Sequence, residues 1–219
     1  MSTADRTALL IVDVQNDFCA GGALAVPDAE RIMPALNRYI DESTAHHVPV
    51  YASRDWHPAK TTHFAQFGGP WPAHCVQGSD GARFHPSLRL PADAIIITKG
   101  AETSGHGYSA FDGHTAEGLS FLADLHSRGI HHLLVGGLAT DYCVRHSVLD
   151  ALEAGFRVTV LVDAIAGVDV DASARALTEM CDAGADGIVR PPRPSESSDQ
   201  RTAVLPGREP PARLHDQRR

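Results

Sequence analysis

Ala8-Leu9-Leu10-Ile11-Val12 has no polar position. A strand with one wet face alternates apolar and polar residues. An unbroken apolar run of this length reads instead as a strand covered on both faces, as in a parallel sheet. Similar segments recur at 48–53, 94–98, 132–135, 157–162 and 187–189. Between them lie helical patterns, at Asp28 to Ile40 with Asp28 as N-cap, Thr115 to Ser127, Cys143 to Glu153 and Asp171 to Ala183. Leu119, Leu122 and Leu125 or His126 are the inward positions of the second, and Gly155 closes the third. This alternation predicts an α/β fold: one domain over 1–189, with a parallel sheet and helices on both faces, joined by right-handed crossovers. Residues 190–219 hold six of the 14 prolines and seven arginines without apolar periodicity, and read as a disordered tail.

Composition narrows the function. The net charge of −8 argues against nucleic acid and anionic membrane as partners. No apolar run reaches the roughly 18 residues of a membrane span, and the polar Met1-to-Thr7 start is no signal peptide. A cytoplasmic protein is expected. Its four cysteines, Cys19, Cys75, Cys143 and Cys181, lack paired spacing and should be free thiols.

In open parallel sheets ligands bind beyond the carboxyl ends of the strands. Asp13, Asp55, Lys99 and the turn Gly136 to Cys143 all fall at such ends. Cys143 opens a helix, where unpaired N–H groups and the helix dipole favour a thiolate. Asp13 can take its proton and Lys99 can stabilise the anion. Alone, each has an ordinary structural explanation; together they read as catalytic. The weakly periodic segment 56–92 carries a second pattern. Asp55 and His57, two apart on extended backbone, share a face, and His63 and His74 follow. One carboxylate and three imidazoles suit a divalent transition metal. They can close a structural tetrahedral zinc site, or leave room for two waters on iron, manganese or zinc.

Asp13-Val14-Gln15-Asn16-Asp17-Phe18-Cys19, Asp55-Trp56-His57-Pro58, His63, Trp71-Pro72-Ala73-His74-Cys75, Lys99-Gly100 and Gly136-Gly137-Leu138-Ala139-Thr140-Asp141-Tyr142-Cys143-Val144 occur in one order over residues 8 to about 189. In this the chain resembles the nicotinamidase/pyrazinamidase group of the isochorismatase-like cysteine hydrolases. The resemblance implies a six-stranded parallel sheet and a catalytic triad of Asp13, Lys99 and Cys143. It also implies one divalent ion (Fe2+, Mn2+ or Zn2+) on Asp55, His57, His63 and His74, with no organic cofactor. It places a cis bond between Leu138 and Ala139, and an oxyanion hole at the Ala139 and Cys143 N–H groups. Phe18 and Trp71 match the aromatic walls of the pocket, joined by Tyr108 and by Tyr142, which stands where that group often has histidine. Gln15 and Asp17 are expected to hold metal-bound waters, whereas Phe111 reads as core.

The activity implied is hydrolysis of nicotinamide, and of pyrazinamide, in NAD salvage by a monomer or small homo-oligomer. Two rival readings are a related cysteine amidase acting on a carbamoyl or ureido substrate, and a non-catalytic metal-binding protein.

Overall fold

The computed structural model describes residues 6–103 and 107–188, and the expected tail lies outside them. Six strands, β1 (Arg6–Val12), β2 (Val50–Asp55), β3 (Ile95–Lys99), β4 (Ile130–Leu138), β5 (Arg157–Ala166) and β6 (Asp186–Ile188), form one sheet in the order β3-β2-β1-β4-β5-β6. Every pairing is parallel. The central β1 is buried as its composition requires. Leu9 and Ile11 belong to one core, with Leu36, Tyr39 and Ile40 of α1 (Met33–Ala45). Ala8, Leu10 and Val12 belong to the other. That second core includes Phe121 and Leu125 of α2 (Phe121–Ser127), Val148 and Ala151 of α3 (Arg145–Glu153), and Met180 of α4 (Val170–Asp182). Burying one such Leu or Ile completely contributes about 2 kcal/mol relative to exposure. No helix among the described residues is long and apolar enough to cross a membrane.

Three local expectations fail for identifiable reasons. The helix expected from Thr115 starts only at Phe121. His114 exchanges two backbone hydrogen bonds with Thr98, which ties the segment to the edge of β3, and Thr115 to Leu119 closes a turn instead. Ser120 is then the N-cap, its hydroxyl accepting from Ala123 N. Leu119 is accordingly exposed and so is His126, while Leu125 is buried as expected. Asp28 caps nothing: its φ is 53° and its side chain makes no cap bond. Finally, β4 runs through both glycines to Leu138, three residues beyond its expected end.

Candidate active site

The topology brings the four strand ends together. β1 is flanked by β2 and β4, and Asp55 of β2 pairs in register with Lys99 of β3. Asp13 follows β1 at φ 49°, a left-handed conformation that aspartate tolerates better than most residues. β1 and β4 approach closely at Gly137. A Cβ there would lie 2.1 Å from Val12 O, and its φ of 123° also demands glycine. After β4 the chain enters a five-residue π-helix, Thr140–Val144, which carries Cys143 and leads into α3. Such π turns concentrate at functional sites. The Leu138–Ala139 bond before it is cis, as the resemblance implied.

Asp13, Lys99 and Cys143 form one buried cluster. Lys99 Nζ lies 2.8 Å from Asp13 Oδ2 and 3.6 Å from Cys143 Sγ, and donates to Asp55 Oδ1 and, at 2.8 Å, to Gly107 O. Ligand atoms of Asp13, Asp55 and Cys143 lie within 4.8 Å of one another. Burial pushes Cys143 well above the ordinary thiol range although Lys99 pulls the other way, so the resting group is a thiol. Burial likewise raises Asp13 against the pull of Lys99, which makes it a stronger base. Lys99 itself is raised: two carboxylates outweigh its own desolvation and keep it charged. Asp55 is held below the usual carboxylate range. Burial opposes this, and Lys99 and His57 outweigh it.

His57, His63 and His74 converge beside this cluster, with ligand nitrogens within 4.8 Å of one another. Asp55 Oδ2 is 3.6 Å from His57 Nε2 and 4.0 Å from His74 Nε2. The ring tautomers are fixed from behind. His57 Nδ1 donates to Gly100 O at 3.0 Å and His74 Nδ1 to Pro72 O at 2.8 Å. A carbonyl only accepts, so in the neutral form of each ring the lone pair is on Nε2. His57 Nε2 is buried without a hydrogen-bond partner. Burial, and then the neighbouring imidazoles His57 and His74, lowers His63 to about 4, and burial lowers His74 too. Three converging imidazoles, two of them with lowered proton affinity, a buried ring nitrogen without a hydrogen-bond partner and an ionised carboxylate fit a divalent metal ion.

Above lies a cleft of about 440 Å³. Phe18, Trp71, Tyr108 and Tyr142, with Leu24 and Val26, line its walls, and Cys143, Ala139, His63 and His74 also face it. Trp71 Nε1 donates to Tyr108 Oη at 2.8 Å, and Trp71 meets Tyr142 edge-on at 5.1 Å. All four expected pocket aromatics are therefore present, whereas Phe111 packs on Phe121 and Phe156 in the core.

Gln15 and Asp17 are both bonded to backbone. Gln15 spends its amide on backbone, donating to Asp55 O and Ala82 O and accepting from Asp55 N. Asp17 accepts from Cys75 N at 2.7 Å and from Ala23 N. Both fix the chain around the histidines. Sequence reasoning also missed Ser53, whose buried hydroxyl donates to Asp13 Oδ1 at 2.7 Å. Its signal was parity, since Ser53 precedes Asp55 by two on the same strand face. Phe64, fully buried edge-on to His57 at 5.5 Å, left no such signal. Ser147 was missed as well. It donates to Cys143 O and accepts from Ala110 N, tying the Cys143 turn to the segment that carries Tyr108.

Residues 7–188 match the Isochorismatase domain family, and the chain belongs to it. The chain is 44% identical over 196 residues to the nicotinamidase of Escherichia coli (strain K12), covering 81% of this chain and 92% of that one. It is 43% identical over 176 residues to the nicotinamidase/pyrazinamidase of Mycobacterium tuberculosis, covering 79% and 93%. Among solved structures, the pyrazinamidase of Pyrococcus horikoshii in complex with zinc superposes with a TM-score of 0.79 at 41% identity, covering 84% of this chain and 99% of that one.

Proposed function

We propose that this chain hydrolyses nicotinamide to nicotinate and ammonia, and deamidates pyrazinamide in the same way. The observation that carries the reading is a thiol, a carboxylate of raised proton affinity and an ammonium in one buried cluster. That cluster lies under an aromatic cleft beside three converging histidines. The activities named for the similar proteins support it.

In this mechanism Phe18 and Trp71 hold the flat ring and direct the carboxamide at Cys143. Asp13 takes the thiol proton as Sγ attacks the carbonyl carbon, and the Lys99 ammonium offsets the charge. The N–H groups of Ala139 and Cys143 receive the oxyanion, where one such donor contributes about 3 kcal/mol in comparable sites. Asp13 returns its proton to the nitrogen as the C–N bond breaks and ammonia leaves. A water deprotonated by Asp13 then cleaves the thioester, releasing nicotinate and restoring the thiol. Asp55, His57, His63 and His74 would hold a divalent ion (iron, manganese or zinc), which would supply Lewis-acid chemistry toward the ring nitrogen. The reaction would serve the recycling of nicotinamide toward NAD.

Ammonia release from nicotinamide, with pyrazinamide and a carbamoyl compound in parallel, tests the reading. Turnover of the two aromatic amides and loss of at least about 10³-fold in Cys143→Ala, with metal content unchanged, are expected. Selective turnover of the carbamoyl compound, or normal turnover by the variant, would overturn it.

A further inference from the structure

Outside the cleft, one other set of metal-type donors converges among the described residues: Cys19, Glu30 and His85, with ligand atoms within 4.8 Å of one another. The three come from separate segments. Cys19 ends the 3-10 turn that holds Phe18, and Glu30 lies in the 3-10 turn Ala29–Ile32. His85 is fixed to the end of β1 by its N–H donating to Val14 O at 2.9 Å.

No hydrogen bond joins any two of the three side chains, whose ligand atoms lie within 4.8 Å of one another. Glu30 Oε1 accepts from Ala20 N at 2.6 Å, and the ring of His85 has one long contact, 3.3 Å from Ser87 N to Nδ1. Donors gathered this closely without bonding to each other leave room for an ion between them. Ligands around tetrahedral zinc sit about 3.5 Å apart, given bond lengths of about 2.0–2.3 Å, so closure needs movements of about 1 Å.

We propose that Cys19, Glu30 and His85 form a second cation site, of zinc type, that fastens the wall of the cleft. Thiolate, imidazole and carboxylate are the mixed donor set that zinc accepts, and their two negative charges balance a divalent ion. Cys19 is buried, and its thiol holds its proton until the ion displaces it to solvent. His85 also lines an open groove of about 940 Å³, which gives a hydrated ion its way in. Cys19 and Glu30 bracket a loop whose Leu24 and Val26 face the cleft. An ion there ties both ends of that loop to His85 and stiffens it.

The test is metal titration of the full-length, chelator-treated chain with Zn2+ and with Co2+, and it needs no turnover. Two equivalents are expected, one of them giving a near-ultraviolet sulfur-to-cobalt charge-transfer band. Cys19→Ser should remove the band and one equivalent. Glu30→Gln and His85→Asn, at half-buried positions, should each weaken that equivalent at least tenfold while circular dichroism stays native. A single equivalent in the parent chain, or a band that survives Cys19→Ser and disappears in Cys143→Ala, overturns the proposal. The hydrolytic reading stands or falls separately, on ammonia release.

Discussion

The hydroxyl of Ser53 reaches Asp13 Oδ1 at full burial, and Lys99 lies against Oδ2. Between them the carboxylate has one orientation. Ser53→Ala is therefore expected to lower kcat about tenfold with little change in KM, the equivalent of losing one well-placed hydrogen bond. Ser53→Thr should restore most of it, and steady-state kinetics on the three proteins decides. His63 governs a pH response. In the metal-free folded chain it titrates near 4, against 6.5 for a free imidazole, because burial and then the adjacent imidazoles disfavour its charged form. Between those values the unfolded chain binds the extra proton, so stability is complete above pH 6.5 and declines as pH falls toward 4. The melting temperature of the metal-free protein should drop across this window, and His63→Ala should flatten the drop. Asp13, Asp55, Lys99 and Cys143 were legible in the sequence because strand ends are marked by where apolar runs stop. The tasks of Gln15 and Asp17 were not. A polar side chain near a metal site has the same sequence signature whether it bonds water or backbone.

Elements place these residues, and the closest constraint is between β1 and β4. Gly137→Ala puts a methyl group against Val12 backbone at a φ that L-residues avoid. A loss of more than about 3 kcal/mol is expected, enough to unfold many domains. Gly155, at φ 86° beyond α3, has open space around its Cα, and Gly155→Ala should cost only about 1 kcal/mol. Comparative denaturant unfolding of the two variants checks the contrast. The six strands could be located from their apolar runs, and the helices from periodicity, but not every boundary. Thr115 to Ser120 has helical composition, yet it follows His114, whose backbone pairs with Thr98 of β3, and Thr115 N–H closes a turn on Leu119 O. That pairing across the fold overrides local propensity. Nor does a single sequence distinguish a π turn from an ordinary first turn at Thr140–Val144.

At the scale of the whole molecule, the long connection between β2 and β3 supplies His63, Trp71 and His74, while Asp55 and His57 belong to the end of β2 or follow it directly. On the proposed function, an ion shared by these residues would staple that connection to the sheet. Chelation is expected to lower the melting temperature by about 5–15 °C, from a linkage contribution of about 3–4 kcal/mol in a domain of this size. Readdition of zinc, manganese or iron should reverse the shift. A melting curve indifferent to chelation would separate the histidine cluster from any role in holding the fold.

Lys99 touches the carboxylate of Asp13, beside Cys143, and the carboxylate of the histidine cluster, Asp55, at once. One ammonium thus serves as common property of the two clusters. Redesign cannot tune them as independent modules: a graft of the histidine cluster onto another scaffold would leave a buried lysine short of one counter-charge. Retiring the cluster to make a metal-free amidase would first require a new neighbour for that lysine. Heredity faces the same bookkeeping, since a change at either aspartate is felt across the divide before the chemistry of its own side is reached.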